Sequence, residues 1–163
     1  MNVAAQQANP SPTADREIVI TRLIDAPREL VFDAWTDPQH IGEWFGPDGF
    51  TITTHEMDVR PGGVWRFVMH GPDGVDYPNR IAYTEIARPE LIAYDHDDDD
   101  DDPPAASFKA RVTFAERDGK TELTMYSLFP TAAERARVVE EHGAIEGGNQ
   151  TLARLDAYLS AST

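Results

Sequence analysis

Residues 131–160 read TAAERARVVEEHGAIEGGNQTLARLDAYLS, and this stretch decides the architecture. Thr131-Ala132-Ala133-Glu134 has the form of a capping box. In that motif a threonine oxygen accepts from the third helical N–H and the glutamate reaches back. Pro130 stops the segment before it. Ala136, Val138 and Val139 then recur at helical spacing. Further on, Leu152, Leu155 and Leu159 fall at i, i+3 and i+7 with Tyr158 beside them, while Arg154 and Asp156 point away. One unbroken rod would be roughly 43 Å long. Gly143 and Gly147-Gly148 argue against it, since an interior glycine costs about 1 kcal/mol. The stretch predicts a lead-in helix near 132–142, a kink, and a main helix near 146–160. A helix with such a stripe needs an apolar surface to lie on.

The middle of the chain supplies that surface. From Glu17, the run Ile18 to Ile24 is rich in β-branched residues and predicts a strand. Asp25-Ala26-Pro27 ends it, with the proline at the favoured first position of a helix whose face is Leu30, Val31, Ala34 and Trp35. Thr36-Asp37-Pro38 starts a second short helix with Ile41, Trp44 and Phe45 on its apolar side. The period then changes to two. Strands are predicted at 50–59, 64–70, 77–87 and 91–96, then around Phe108 to Phe114, and last around Leu123 to Phe129. Gly71-Pro72-Asp73-Gly74 and Asp118-Gly119 are turn signals that make neighbouring strands antiparallel. The order is strand, two short helices, about six strands, long helix. This is an α+β chain in which the terminal helix covers one face of a sheet of about seven strands.

At 163 residues the chain is one domain, with 40% hydrophobic residues and a formal charge of −15. Residues 1–16 are polar, carry two prolines and predict a flexible tail without a secretory signal, leaving 17–160 as the domain. No apolar run approaches the ~20 residues that cross a membrane. Cysteine is absent, which excludes disulfide and thiol chemistry and fits the cytoplasm. The acidic balance and the lack of a basic patch speak against nucleic acid. Much of the acid is local, in the run Asp97 to Asp102 closed by Pro103-Pro104. Charges ~6 Å apart repel by roughly 0.7 kcal/mol in water, so the run predicts a solvated loop. It lacks the glycine turn and distal glutamate of a dedicated calcium loop, and any cation binding there is expected only at millimolar levels.

The order of elements, with its motifs, resembles the helix-grip superfamily (SRPBCC, also called START-like or Bet v-type). It is most similar to the branch named after the activator of heat shock protein 90 ATPase. The carrying residues are Asp25-Ala26-Pro27 with Val31-Phe32, Ala34-Trp35-Thr36-Asp37-Pro38 and Trp44-Phe45-Gly46-Pro47. Asp58-Val59-Arg60-Pro61-Gly62-Gly63-Val64-Trp65, Gly71-Pro72-Asp73-Gly74 and Gly147-x-Asn149-Gln150-Thr151-Leu152-x-x-Leu155 complete the set. Gly147-Gly148 departs from the pattern, where many relatives look like Gly-Trp. Either neighbours refill the space of the missing indole or the cavity is larger here.

The resemblance implies an apolar pocket between a concave sheet and the long helix. Alternation puts Trp65, Phe67, Met69, Tyr83, Phe108, Val112, Met125 and Ser127 on the inward face, with Leu152 and Leu155 from the helix. Trp44 and Phe45 lie near a mouth, and Tyr83, Tyr94, Tyr126, His96 and Asn149 are the polar candidates. Each apolar member also serves as ordinary core, because a sheet–helix interface needs such residues anyway. No nucleophile elbow, no dinucleotide or phosphate loop and no HExxH spacing among the five histidines is present. Catalytic residues, metal ligands and cofactors are therefore not assigned.

Three functions follow from the resemblance. The first is binding of a small hydrophobic or amphipathic ligand without chemistry, with Asn149 as one placed polar group. The second is a co-chaperone-like interaction domain that stimulates a chaperone ATPase. The third is an enzyme of the polyketide cyclase or dehydratase kind, which needs a His or Tyr of shifted pKa on the pocket wall. The reading leans away from an enzyme. The expected partners are the ligand and a chaperone, with a homodimer left open.

Overall fold

The computed structural model describes residues 13–97 and 107–161. Seven strands form one antiparallel sheet: β1 (Glu17–Ile24), β2 (Thr51–Met57), β3 (Val64–His70), β4 (Asp76–Ala87), β5 (Leu91–Asp97), β6 (Ser107–Arg117) and β7 (Lys120–Leu128). Among the described residues, four α-helices accompany it: α1 (Arg28–Thr36), α2 (Pro38–Ile41), α3 (Ala132–His142) and α4 (Ala144–Ala161). The sheet order is β1-β7-β6-β5-β4-β3-β2. Every consecutive strand from β2 to β7 therefore pairs with its neighbour, and β1 closes back on β7. This is the α+β helix-grip architecture expected from the sequence.

Local chemistry explains the boundaries. Asp37 caps α2 by accepting from Gln39 N at 2.9 Å, and Pro38 opens the helix without wasting a donor. The proline before α1 sits one place earlier than expected: Pro27 is extended, and the helix starts at Arg28. The β6–β7 hairpin turns through Asp118 and Gly119, both with positive φ, as a two-residue loop of that hand requires. Thr131 caps α3 through Glu134 N at 3.0 Å. The reciprocal half of the capping box is not made, because the Glu134 carboxylate is held by Arg137 at 2.9 Å.

The kink in the C-terminal stretch falls at Gly143 alone. Its φ of 58° lies in the left-handed region that ends a helix, and its N–H returns to Val139 O at 3.1 Å. Gly147 and Gly148 do not break anything. They lie inside α4, which starts at Ala144 rather than near 146.

One core joins sheet and helices. Trp44, Trp65, Phe67, Phe114, Leu123, Leu152 and Leu155 are among its fully buried members. Trp44 Nε1 donates to Ala34 O at 3.2 Å and Trp65 Nε1 to Thr54 Oγ1 at 3.1 Å, so both indoles are buried without losing their donors. Residues 13–16, assigned to the tail by sequence, include a short 3-10 turn at Ala14–Arg16. Arg16 Nη1 donates to Phe129 O at 2.9 Å, and Phe129 N donates to Arg16 O at 2.9 Å. Residues 1–12 and the aspartates 98–102 of the acidic run lie outside the described residues.

Candidate functional site

The strand register builds a floor under the α3–α4 elbow. Antiparallel pairing sets Met69 opposite Tyr77 and His96 opposite Phe108. Cross-strand partners on one face stand close enough to form a continuous surface. Phe50 leans on Tyr77 with ring centroids 6.1 Å apart, and His96 lies against Phe108 at 4.8 Å. Above this floor stand Val138 and Glu141 of α3 and Pro47 of the loop before β2. The space enclosed is an open cleft of about 480 Å³. That is within the usual size of small-molecule sites.

Phe108 stands between this cleft and two further hollows. Behind it, a space of about 180 Å³ is bounded by Ile18, Ile20, Met125, Ser127, Ala144 and Gly148. A third, of about 390 Å³, opens at the sheet's end among Arg16, Arg80, Asp95, Asp97 and Lys109. All three share the Phe108 ring, which also packs against Phe129 at 5.0 Å.

One polar pair is set into the cleft wall. His96 Nε2 is 2.8 Å from Asn79 Oδ1. The amide oxygen can only accept, so this nitrogen carries the proton and donates. Asp97 is bound by Arg80, with Nη2 to Oδ2 at 2.7 Å.

The loop that bounds the mouth is fastened to α4. Arg154 Nη1 donates to Gly46 O at 2.8 Å and to Pro47 O at 2.7 Å. Asp48 N donates to Gln150 Oε1 at 3.1 Å. Gly147 gives Pro47 room, since a Cβ there would lie 3.3 Å from the proline ring. Two residues along from Arg154, Asp156 accepts from Arg22 Nη2 at 3.2 Å and from Asp25 N at 3.3 Å. Arg154 and Asp156 thus do not point away, as the helical wheel suggested. Both tie α4 to distant parts of the chain, as Gln150 and Tyr158 also do.

The sequence candidates divide into three groups. Met69, Phe108, Met125 and Ser127 border the cleft or the hollow behind it. Trp44, Trp65, Phe67, Tyr83, Val112, Leu152 and Leu155 are buried in the packed core and line none of these spaces. Phe45, half-buried, is enclosed by Trp35, Trp44, Trp65 and Phe67 and belongs with them. Asn149 and Tyr126 stand elsewhere. Asn149 is exposed and spends its amide on Ile145 O at 3.0 Å. Tyr126 lies on the outer face of the sheet, donating to Glu17 Oε2 at 2.5 Å under the Arg111 guanidinium at 4.8 Å. Alternation could have supplied Tyr77 and Asn79, which share parity with Tyr83. It could not supply Val138 and Glu141, because the angle between α3 and the sheet is set by Gly143 and by contacts distant in sequence.

Acid–base chemistry asks for a shifted His or Tyr on the cleft wall. The strongly shifted tyrosines are Tyr83 and Tyr94, both core residues. Burial drives both phenols well above their ordinary range, helped at Tyr83 by the neighbouring Tyr94. They remain neutral across physiological pH. Among the described residues no group of three or more His, Asp or Glu is placed to hold a metal ion, and no helix is long and apolar enough to cross a membrane.

The family described as "Activator of Hsp90 ATPase homolog 1-like protein" matches residues 25–160. The chain belongs to that family. No curated protein matches it. Among solved structures, a Mycobacterium smegmatis protein is similar at 26% identity and a TM-score of 0.80, over 90% of this chain and 92% of that one. A solution structure from Arthrobacter aurescens is 25% identical with a TM-score of 0.82, covering 93% and 90%. A protein of Nitrosomonas europaea, at 24% identity and a TM-score of 0.81 over 91% and 97%, shares the fold. The family's fold supports a ligand-binding or interaction domain in general terms.

Proposed function

We propose that this member of the family holds a small hydrophobic or amphipathic molecule in the cleft between the sheet and the α3–α4 elbow, without converting it. The observation that carries the reading is the 480 Å³ cleft, with Met69, Phe108 and Val138 as apolar wall and the His96–Asn79 pair as placed polar group. The hollow behind Phe108, with Met125 and Ser127, lets a longer ligand extend once that ring turns. We place the protein in the cytoplasm, which its cysteine-free sequence permits.

Thermal shift against lipids, isoprenoids and aromatic polyketides tests the proposal. A binder raises Tm in the native chain, because a ligand that binds only the folded state stabilises it. Val138→Trp, which fills the cleft from above, abolishes that shift without lowering the ligand-free Tm. Stabilisation by no compound, or equal stabilisation of Val138→Trp, overturns the proposal. The competing reading, a chaperone partner, rests on the family description. It is tested by whether the purified chain stimulates the ATPase of its host's own heat-shock chaperone.

A further inference from the structure

We propose that the ligand carries a positive charge. The inference rests on the reading of the cleft as a ligand site and names the chemistry of its occupant: an apolar, preferably aromatic, body bearing an ammonium group. Among the described residues, the cleft wall holds two carboxylates, Asp97 and Glu141, and neither a lysine nor an arginine. Their cationic partners stand outside the wall. Arg80 reaches Asp97 at 2.7 Å from the side of the neighbouring hollow, and Arg137 reaches Glu141 at 3.4 Å along α3. An anionic ligand would lose hydration beside two carboxylates with no compensating donor of opposite charge. A cation meets the reverse situation.

The apolar wall has the same preference. Phe50, Met69 and Tyr77 stand at one side and Phe108 at the other, with His96 on the strand between. Aromatic faces carry partial negative charge and attract ammonium groups more strongly once water is excluded. The basic groups of this region, Arg16, Arg80 and Lys109, gather instead at the hollow on the far side of Phe108. Asp95 and Asp97 border that hollow too, so it holds three cationic and two anionic side chains, against two carboxylates and no lysine or arginine on the described cleft wall. At long range, the net charge of −15 enriches cations around the whole molecule.

The test uses three probes with one apolar body: 1-naphthylmethylammonium, 1-naphthylmethanol and 1-naphthoate, titrated calorimetrically at pH 8 and low ionic strength. The ammonium is expected to bind about tenfold tighter than the alcohol, and the alcohol tighter than the carboxylate. Glu141→Gln reduces the ammonium's advantage over the alcohol to about threefold or less. Glu140→Gln makes the same change in net charge at an exposed position off the cleft and preserves the ratio. If the alcohol or the carboxylate binds as tightly as the ammonium, the charge preference is wrong while the cleft stands as a site. If Glu140→Gln acts as strongly as Glu141→Gln, the local role of Glu141 is wrong. If none of the three binds, the cleft reading falls and the charge inference with it.

Discussion

Gly148 shows how one residue adjusts the space beneath a helix. A Cβ built there would collide with Cδ1 of Ile20 and would touch Cε of Met125 at 3.6 Å. The room that an indole would fill is thus partly taken by two neighbours, and the remainder is the hollow behind Phe108. Gly148→Ala should lower stability by about 1 kcal/mol, because the overlap exceeds what alanine gains in a helix. Ile20→Val removes the colliding methyl. In that background Gly148→Ala should instead stabilise, by up to about 1 kcal/mol. Denaturant unfolding of the four proteins checks this. Additive effects of the two substitutions would show that helix and strand are not in contact at this point. At this scale the sequence showed the departure at Gly148 but not its resolution, since nothing local says that Ile20 and Gly148 meet.

Among the elements, α4 is where sequence reasoning succeeded on one face and failed on the other. Its apolar stripe, Leu152, Leu155 and Leu159, is buried as its spacing requires. Arg154 and Asp156 look like solvent-facing charges on a helical wheel, yet each binds backbone from a distant part of the chain. Periodicity reports hydrophobicity, and a charge that serves a carbonyl or an N–H has no periodic signature. Arg154→Ala leaves the carbonyls of Gly46 and Pro47 without their charged donor, at a cost of about 1–2 kcal/mol. We expect a lower Tm together with faster amide exchange at Asp48 and Phe50, while exchange in β6 and β7 keeps its order. Arg154→Lys restores only part of the effect, because one ammonium on a flexible stem replaces a planar fork. Unchanged exchange in the 46–50 loop would contradict the role given to Arg154. The strand register was legible in outline from alternation and turn residues. The floor of the cleft became visible only when the register set Met69 against Tyr77 and His96 against Phe108.

For the whole molecule, the buried tyrosines link core integrity to pH. Tyr83 and Tyr94 stay protonated in the folded state well beyond the ordinary phenol range, through burial first. Between the unfolded value near 10 and the raised folded value, the folded chain binds more protons than the unfolded one. The stabilisation by their burial is fully present below about pH 10 and is lost as pH rises above it. Absorbance near 295 nm should therefore show two of the five tyrosines ionising only with cooperative unfolding. Tyr83→Phe with Tyr94→Phe should remove that step. The fold was almost wholly legible in the sequence, because a six-strand meander, with the first strand beside the last and one amphipathic helix across it, agrees with period, turns and caps. The site was legible only in part. Parity says which residues face together, but the packed volume between them depends on how far α3 stands from the sheet.

That distance is the central matter, and methionine methyl groups report it directly. The chain has four methionines, of which Met69 borders the cleft, Met125 the hollow behind Phe108, and Met57 packs against the core away from both. In a protein labelled at the methionine methyls, saturating 1-naphthylmethylammonium should shift the Met69 signal strongly and Met125 less, and leave Met57 in place. Methyl signals of Met69 and Met125 that stay fixed while Met57 moves, or while nothing moves, would contradict a ligand space between the sheet and the α3–α4 elbow.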